Sequence, residues 1–178
     1  MRPIGYAVAL GAGLMLAAMG NAMALDLTLT RVIDAPPERV WTALTEADSI
    51  AQWWGPTGFT APVVKTDVSV GGASQVCMTA PGFPLMCNSW TYTEIVAGQK
   101  LAFDSGWVDE QGTGVDPRAV GLPADIPDIV PHVLELRPLP DGKTELRWSE
   151  FGYASQATVD LSKGGLEQVL DKLVASLR

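Results

Sequence analysis

The chain has 178 residues, 47% of them hydrophobic, and a net charge of −8 from 12 Lys and Arg against 20 Asp and Glu. That length points to one domain, and that composition to a packed core rather than a disordered polymer. The acidic balance excludes a basic phosphate-binding surface, so nucleic acid is not an expected partner.

Met1-Arg2-Pro3 is followed by apolar and small residues through Met19, then by Gly20-Asn21-Ala22-Met23-Ala24. A positive start, an apolar run and an Ala-x-Ala end make up an export signal cleaved after Ala24. The expected organisation is a signal peptide over 1–24 and one domain over 25–178. A retained membrane anchor is the competing reading. The apolar stretch is marginal against the roughly 20 residues a bilayer span needs, and no Lys or Arg flanks its far end. No Cys follows it, so a lipid anchor is not indicated. The expected location is periplasmic or secreted, with no stable membrane insertion after cleavage.

Residues 25–33 alternate apolar and polar side chains and read as a first strand. Pro36-Pro37 opens a helix carrying Val40, Trp41 and Leu44 at core spacing. Thr45-Glu46-Ala47-Asp48 reads as a fresh N-cap for a second short helix ending near Trp54, stopped by Gly55-Pro56-Thr57-Gly58. Strands are expected over 60–66, 73–79, 85–96, 100–107, 130–137 and 144–151, with a hairpin signal at Asp141-Gly142. Residues 108–128 have no clear period and read as a long loop, a length usually associated with function or mobility. Leu166, Val169, Leu170, Leu173, Val174 and Leu177 form one apolar stripe on a terminal helix. Ser162 reads as its N-cap, with Gly164 and Gly165 in a frayed first turn. The order gives an α+β fold: an antiparallel sheet of six to seven strands whose buried face the terminal helix covers. The space between them is the natural pocket.

Arg31-Val32-Ile33-Asp34-Ala35-Pro36-Pro37-Glu38-Arg39-Val40-Trp41 and Gln52-Trp53-Trp54-Gly55-Pro56 resemble the opening of the activator-of-heat-shock-protein-90-ATPase-like family. That family lies in the START/birch-pollen-allergen (SRPBCC) superfamily. Asp67 with Gly71-Gly72, Trp107-Val108-Asp109-Glu110 with Gly112, and Glu167 to Leu173 resemble its later blocks. The ordered set spans residues 27 to 177. The resemblance implies a helix-grip fold, a curved sheet wrapped around a long C-terminal helix and enclosing an apolar cavity. It implies no single reaction, because the superfamily includes lipid carriers, hormone binders, cyclases and chaperone activators. Where the family usually has Gly-Trp before its closing helix, this chain has Gly165-Leu166.

Cys77 and Cys87 lie five residues to either side of Gly82, so a hairpin in that register sets them opposite each other. An exported chain meets oxidising conditions, and a disulfide is expected. Two Cys and one His do not make a closed metal shell, so no metal is expected. Nor is any cofactor, since no P-loop, dinucleotide turn, nucleophile elbow or calcium loop is present. The single His, His132, shares a face with Leu134 and Leu136, and Leu146, Trp148 and Glu150 share a face on the next strand. Pairing about Pro140-Asp141 sets His132 opposite Glu150, which makes the two a candidate acid–base pair. The plainer alternatives are a core or rim histidine and an acid at the cavity mouth. Trp53, Trp54, Phe103, Trp107, His132, Leu134 and Trp148 are the candidate ligand-binding residues. The leading expectation is a non-enzymatic binder of a small apolar molecule. A cyclase-, hydratase- or isomerase-type enzyme using His132 and Glu150, and a protein-interaction module, are the alternatives.

Overall fold

Side-chain alternation with a period of two produces seven strands in the computed structural model, which describes residues 24–178. The elements run β1 (Leu25–Ile33), α1 (Pro37–Thr45), α2 (Ala47–Trp53), β2 (Thr60–Lys65), β3 (Ala73–Thr79), β4 (Met86–Val96), β5 (Lys100–Val108), β6 (Ile129–Pro138), β7 (Thr144–Tyr153) and α3 (Gln156–Ser176). All strands pair antiparallel in one open sheet of order β1-β7-β6-β5-β4-β3-β2. This is the expected α+β helix-grip arrangement. The expected signal segment, Ala24 apart, lies outside the described residues.

One sheet face carries Val76, Trp90, Tyr92, Leu101, Phe103, Leu134, Leu136, Leu146 and Trp148 in a single core. The stripe Leu166, Val169, Leu170, Leu173 and Leu177 of α3 closes over it, with Val40, Leu44, Ile50 and Trp53 of α1 and α2 at one end. A smaller cluster of Cys77, Cys87 and Val108, with Val63 and Leu85 against it, lies apart from this core. The hairpin between β6 and β7 turns at Asp141, whose φ of 65° falls in the left-handed region that Asp tolerates.

Two local expectations are corrected. α3 begins at Gln156, not after Ser162. Its N-cap is Ser155, whose side chain accepts from the Thr158 N–H at 3.2 Å. Gly164 and Gly165 therefore sit mid-helix, where helical hydrogen bonding and packing on both sides outweigh the roughly 1 kcal/mol that Gly costs relative to Ala. Thr45 is the last residue of α1 rather than a cap. Its hydroxyl donates back to the Trp41 carbonyl at 2.8 Å, and the extended Glu46 separates α1 from α2 without a side-chain cap. The 108–128 segment is a loop, as expected, and it is internally organised. Val108 bridges to Gly114, Asp109 Oδ1 accepts from the N–H groups of Gln111 and Thr113, and a 3-10 turn spans Pro117–Val120. Arg118 then ties Asp116 to Asp128, each at 2.6 Å.

Candidate functional site

Between α3, the sheet and the 108–128 loop lies a pocket of about 250 Å³. Its walls come from distant parts of the chain. β4, β5, β6 and β7 contribute Asn88, Ser105, Trp107, His132, Trp148 and Glu150 from inward-facing positions. The loop contributes Leu122 and Ile126, the turn after α2 contributes Trp54, Gly55 and Pro56, and α3 contributes Leu161, Ser162, Gly165, Leu166 and Val169. Hydrogen bonds to α3 and its N-cap hold two of these walls. Ser155 Oγ donates to Asp125 Oδ2 at 2.5 Å, fixing the loop to the start of α3. Lys172 Nζ donates to the carbonyls of Trp54, Gly55 and Phe59 at 3.2, 2.9 and 3.0 Å, fixing the turn to α3. An ammonium has three N–H donors, and these carbonyls take all three.

The strand registers set Phe103, His132 and Glu150 in a row across β5, β6 and β7. The Phe103 and His132 rings stack with centroids 4.9 Å apart and planes 11° from parallel. Trp148 Nε1–H donates to His132 Nδ1 at 2.9 Å. An accepting Nδ1 carries no proton, so the imidazole is neutral with its proton on Nε2. Burial supports the same state by lowering the His132 pKa from 6.5 to about 3. Glu150 Oε1 lies 3.6 Å from that Nδ1, too far for a hydrogen bond, and His132 is no cationic partner for it.

Glu150 Oε2 accepts from Tyr153 Oη and from Ser162 Oγ, each at 2.5 Å, and those two hydroxyls lie 2.8 Å apart. Burial raises the Glu150 pKa, and the two hydroxyl donors oppose that rise. Burial also raises the Tyr153 pKa, as does the neighbouring carboxylate, so Tyr153 stays a protonated donor.

Of the residues singled out by sequence, Trp54, Trp107, His132 and Trp148 line the pocket, and Glu150 joins them. Trp53, Phe103 and Leu134 are buried in the core instead. Trp53 is held under α1 by its indole N–H on the Ala43 carbonyl at 2.9 Å. Phe103 is stacked between Trp90 and His132, and Leu134 pairs with Trp148 one step beyond the pocket. The sequence pattern does not point to Tyr153 or to Ser162 as partners of Glu150. Strict alternation turns residue 153 away from Glu150, but Gly152 at φ 90° and the register shift opposite Leu25 and Leu27 bring the phenol back. Ser162 lies inside α3 rather than at its cap, and it faces β7. Cys77 and Cys87 pair in register and are joined by a disulfide. Among the described residues, no group of three His, Cys, Asp or Glu could hold a metal ion.

A family model described as activator of Hsp90 ATPase homolog 1-like protein matches residues 34–178. The chain belongs to this family. The match begins just after β1 and includes every pocket wall. No curated protein matches the sequence. Solved structures similar to this family member include a protein from Chromobacterium violaceum, 26% identical with a TM-score of 0.70, covering 85% of this chain and 96% of that one. A protein from Arthrobacter aurescens is also 26% identical with a TM-score of 0.70, covering 86% of each chain. The AHSA1 protein from Silicibacter pomeroyi is 21% identical with a TM-score of 0.68, covering 86% of this chain and 97% of that one. Family membership thus agrees with the α+β fold described above.

Proposed function

We propose that this protein is an exported carrier or sensor that binds a small, mainly apolar molecule in the pocket between α3 and the sheet. One observation carries the reading. Trp54, Trp107, Trp148, Leu122, Ile126 and Leu166 surround a space of about 250 Å³, and polar groups meet at His132 and Glu150. An apolar concavity with few convergent polar groups is the usual form of a small-molecule site. Its volume, just under the usual range, favours a compact ligand. The disulfide and the Ala22-Met23-Ala24 sequence support export, with a mature domain over 25–178. Among the described residues no helix is long and apolar enough to cross a membrane. Expression of the full chain in a bacterial host is expected to give a periplasmic product starting at Leu25. An intact N-terminus would contradict cleavage.

Gly165 provides the test of binding. A Cβ built there meets nothing within 4 Å, and the residue lines the pocket. Gly165→Leu therefore extends a side chain into the pocket from a Cβ position that is free of neighbours, and replaces a mid-helix Gly. The variant is expected to be as stable as the parent or about 0.5–1 kcal/mol more stable, yet to lose binding of a neutral fluorescent probe such as N-phenyl-1-naphthylamine. Equal dye binding by parent and variant would count against the pocket as the binding site.

The geometry offers less to the acid–base reading of His132 and Glu150. His132 Nδ1 is occupied by Trp148, and an imidazole with a pKa near 3 is a weak base at neutral pH. Family membership also supports a protein-binding alternative, for which a bound protein that leaves the Gly165→Leu variant unaffected would be the signature.

A further inference from the structure

Glu150 is 4% exposed and lines the pocket, and no Lys or Arg lines the pocket with it. The two cations of α3 are engaged elsewhere: Lys163 pairs with Glu167, and Lys172 holds three carbonyls. His132 is neutral at neutral pH and aims Nδ1 at Trp148. The two hydroxyl donors both bind Oε2 and favour the charged form of Glu150 against the burial that opposes it. Among the described residues, no hydrogen bond reaches Oε1, which lies 3.6 Å from the proton-free His132 Nδ1. A carboxylate withdrawn from water with one oxygen unpaired and no counter-ion is unfavourable. Three indoles share the same pocket, and indole rings accommodate organic cations.

Resting on the binding function proposed above, we infer that the ligand is a small hydrophobic amine. Its ammonium donates to Glu150 Oε1, and its apolar body lies among Trp54, Trp107 and Trp148. The ligand supplies the counter-ion that the chain omits.

The test uses three probes of similar shape, 2-phenylethylamine, 2-phenylethanol and phenylacetone, competed against N-phenyl-1-naphthylamine at about pH 8, where the amine is charged. The amine is expected to bind at least about tenfold more tightly than the alcohol or the ketone, the scale of a hydrogen bond to a charged group. Glu150→Gln keeps the shape and removes the charge. It is expected to weaken the amine at least about tenfold while leaving the alcohol within about twofold, and retained alcohol and dye binding reports that the variant is folded. Two results would overturn the inference while leaving the binding function standing: neutral probes that bind as well as the amine, or an amine preference that persists in Glu150→Gln. A ketone preferred over the amine would also overturn it, because Glu150 would then act as a protonated donor. Failure of the dye and all three probes to bind the parent chain would remove both readings together. If Glu150→Gln does not fold, the amine-to-alcohol ratio in the parent chain still decides the outcome.

Discussion

His132 illustrates how one buried side chain sets a pH dependence. Desolvation lowers its pKa from 6.5 to about 3, and the Trp148 N–H on Nδ1 favours the neutral ring. Between those values the unfolded chain binds a proton that the folded chain does not. Stability therefore falls as pH falls through this window, with a slope approaching about 1.4 kcal/mol per pH unit. Glu150 on β7, which faces the same ring, acts in the opposite direction. Its raised pKa means the folded chain holds a proton that the unfolded chain releases above about 4.5, so Glu150 lowers stability as pH rises there. Tyr153, the other titratable group in the cluster, stays protonated throughout. His132→Gln isolates the histidine contribution. Urea unfolding at about pH 7 and about pH 5 is expected to show the parent losing more stability than the variant on acidification. Equal losses would mean that His132 charges freely in the folded protein.

At the level of elements, α3 is both cover and clamp. Its cap is local, so Ser155→Ala is expected to cost about 1 kcal/mol through the lost Thr158 N–H contact, and somewhat more through the tie to Asp125. Its clamp is long-range. Lys172→Met keeps the aliphatic stem but leaves the Trp54, Gly55 and Phe59 carbonyls without their donor. The expected loss is about 2 kcal/mol by thermal or chemical unfolding, and weaker dye binding should accompany it as the Trp54 wall loosens. A loss confined to stability would mean that the turn keeps its shape unaided. These contacts also mark where sequence reasoning succeeded and where it stopped. The period-two faces and pairing about Pro140-Asp141 set His132 opposite Glu150, and the symmetric spacing about Gly82 pairs the cysteines. Both are consequences of hairpin register, which local sequence encodes. The Tyr153 and Ser162 contacts to Glu150 depend on a bulge at Gly152 and on the rotation of a helix that begins at Gln156, so neither follows from alternation. Which tryptophans are wall and which are core was likewise set by three-dimensional packing: Trp53 and Trp54 are adjacent in sequence, yet only Trp54 reaches the pocket.

For the molecule as a whole, the disulfide joins the compartment to the site. Cys77 and Cys87 bridge β3 and β4 toward one end of the sheet, and they are packed with Val108 in the small cluster apart from the main core. Met78 and Asn88 follow them in the chain, point to the opposite face, and line the pocket. The bond therefore fixes the strand register that sets two pocket walls. It closes a loop with a sequence separation of 10, for which the chain-entropy model gives about 2–3 kcal/mol of stabilisation. Both sulfurs are buried, so reductant is expected to act on the opened protein more readily than on the folded one. Protein refolded in the reduced state should then unfold at a lower urea concentration by an amount equivalent to about 2–3 kcal/mol, and reoxidation should restore the midpoint. Indistinguishable midpoints would mean that the hairpin register is held by the strands alone. A difference of that size is a large fraction of the stability of a typical domain, and it would make folding of this pocket more secure in an oxidising compartment than in the cytosol.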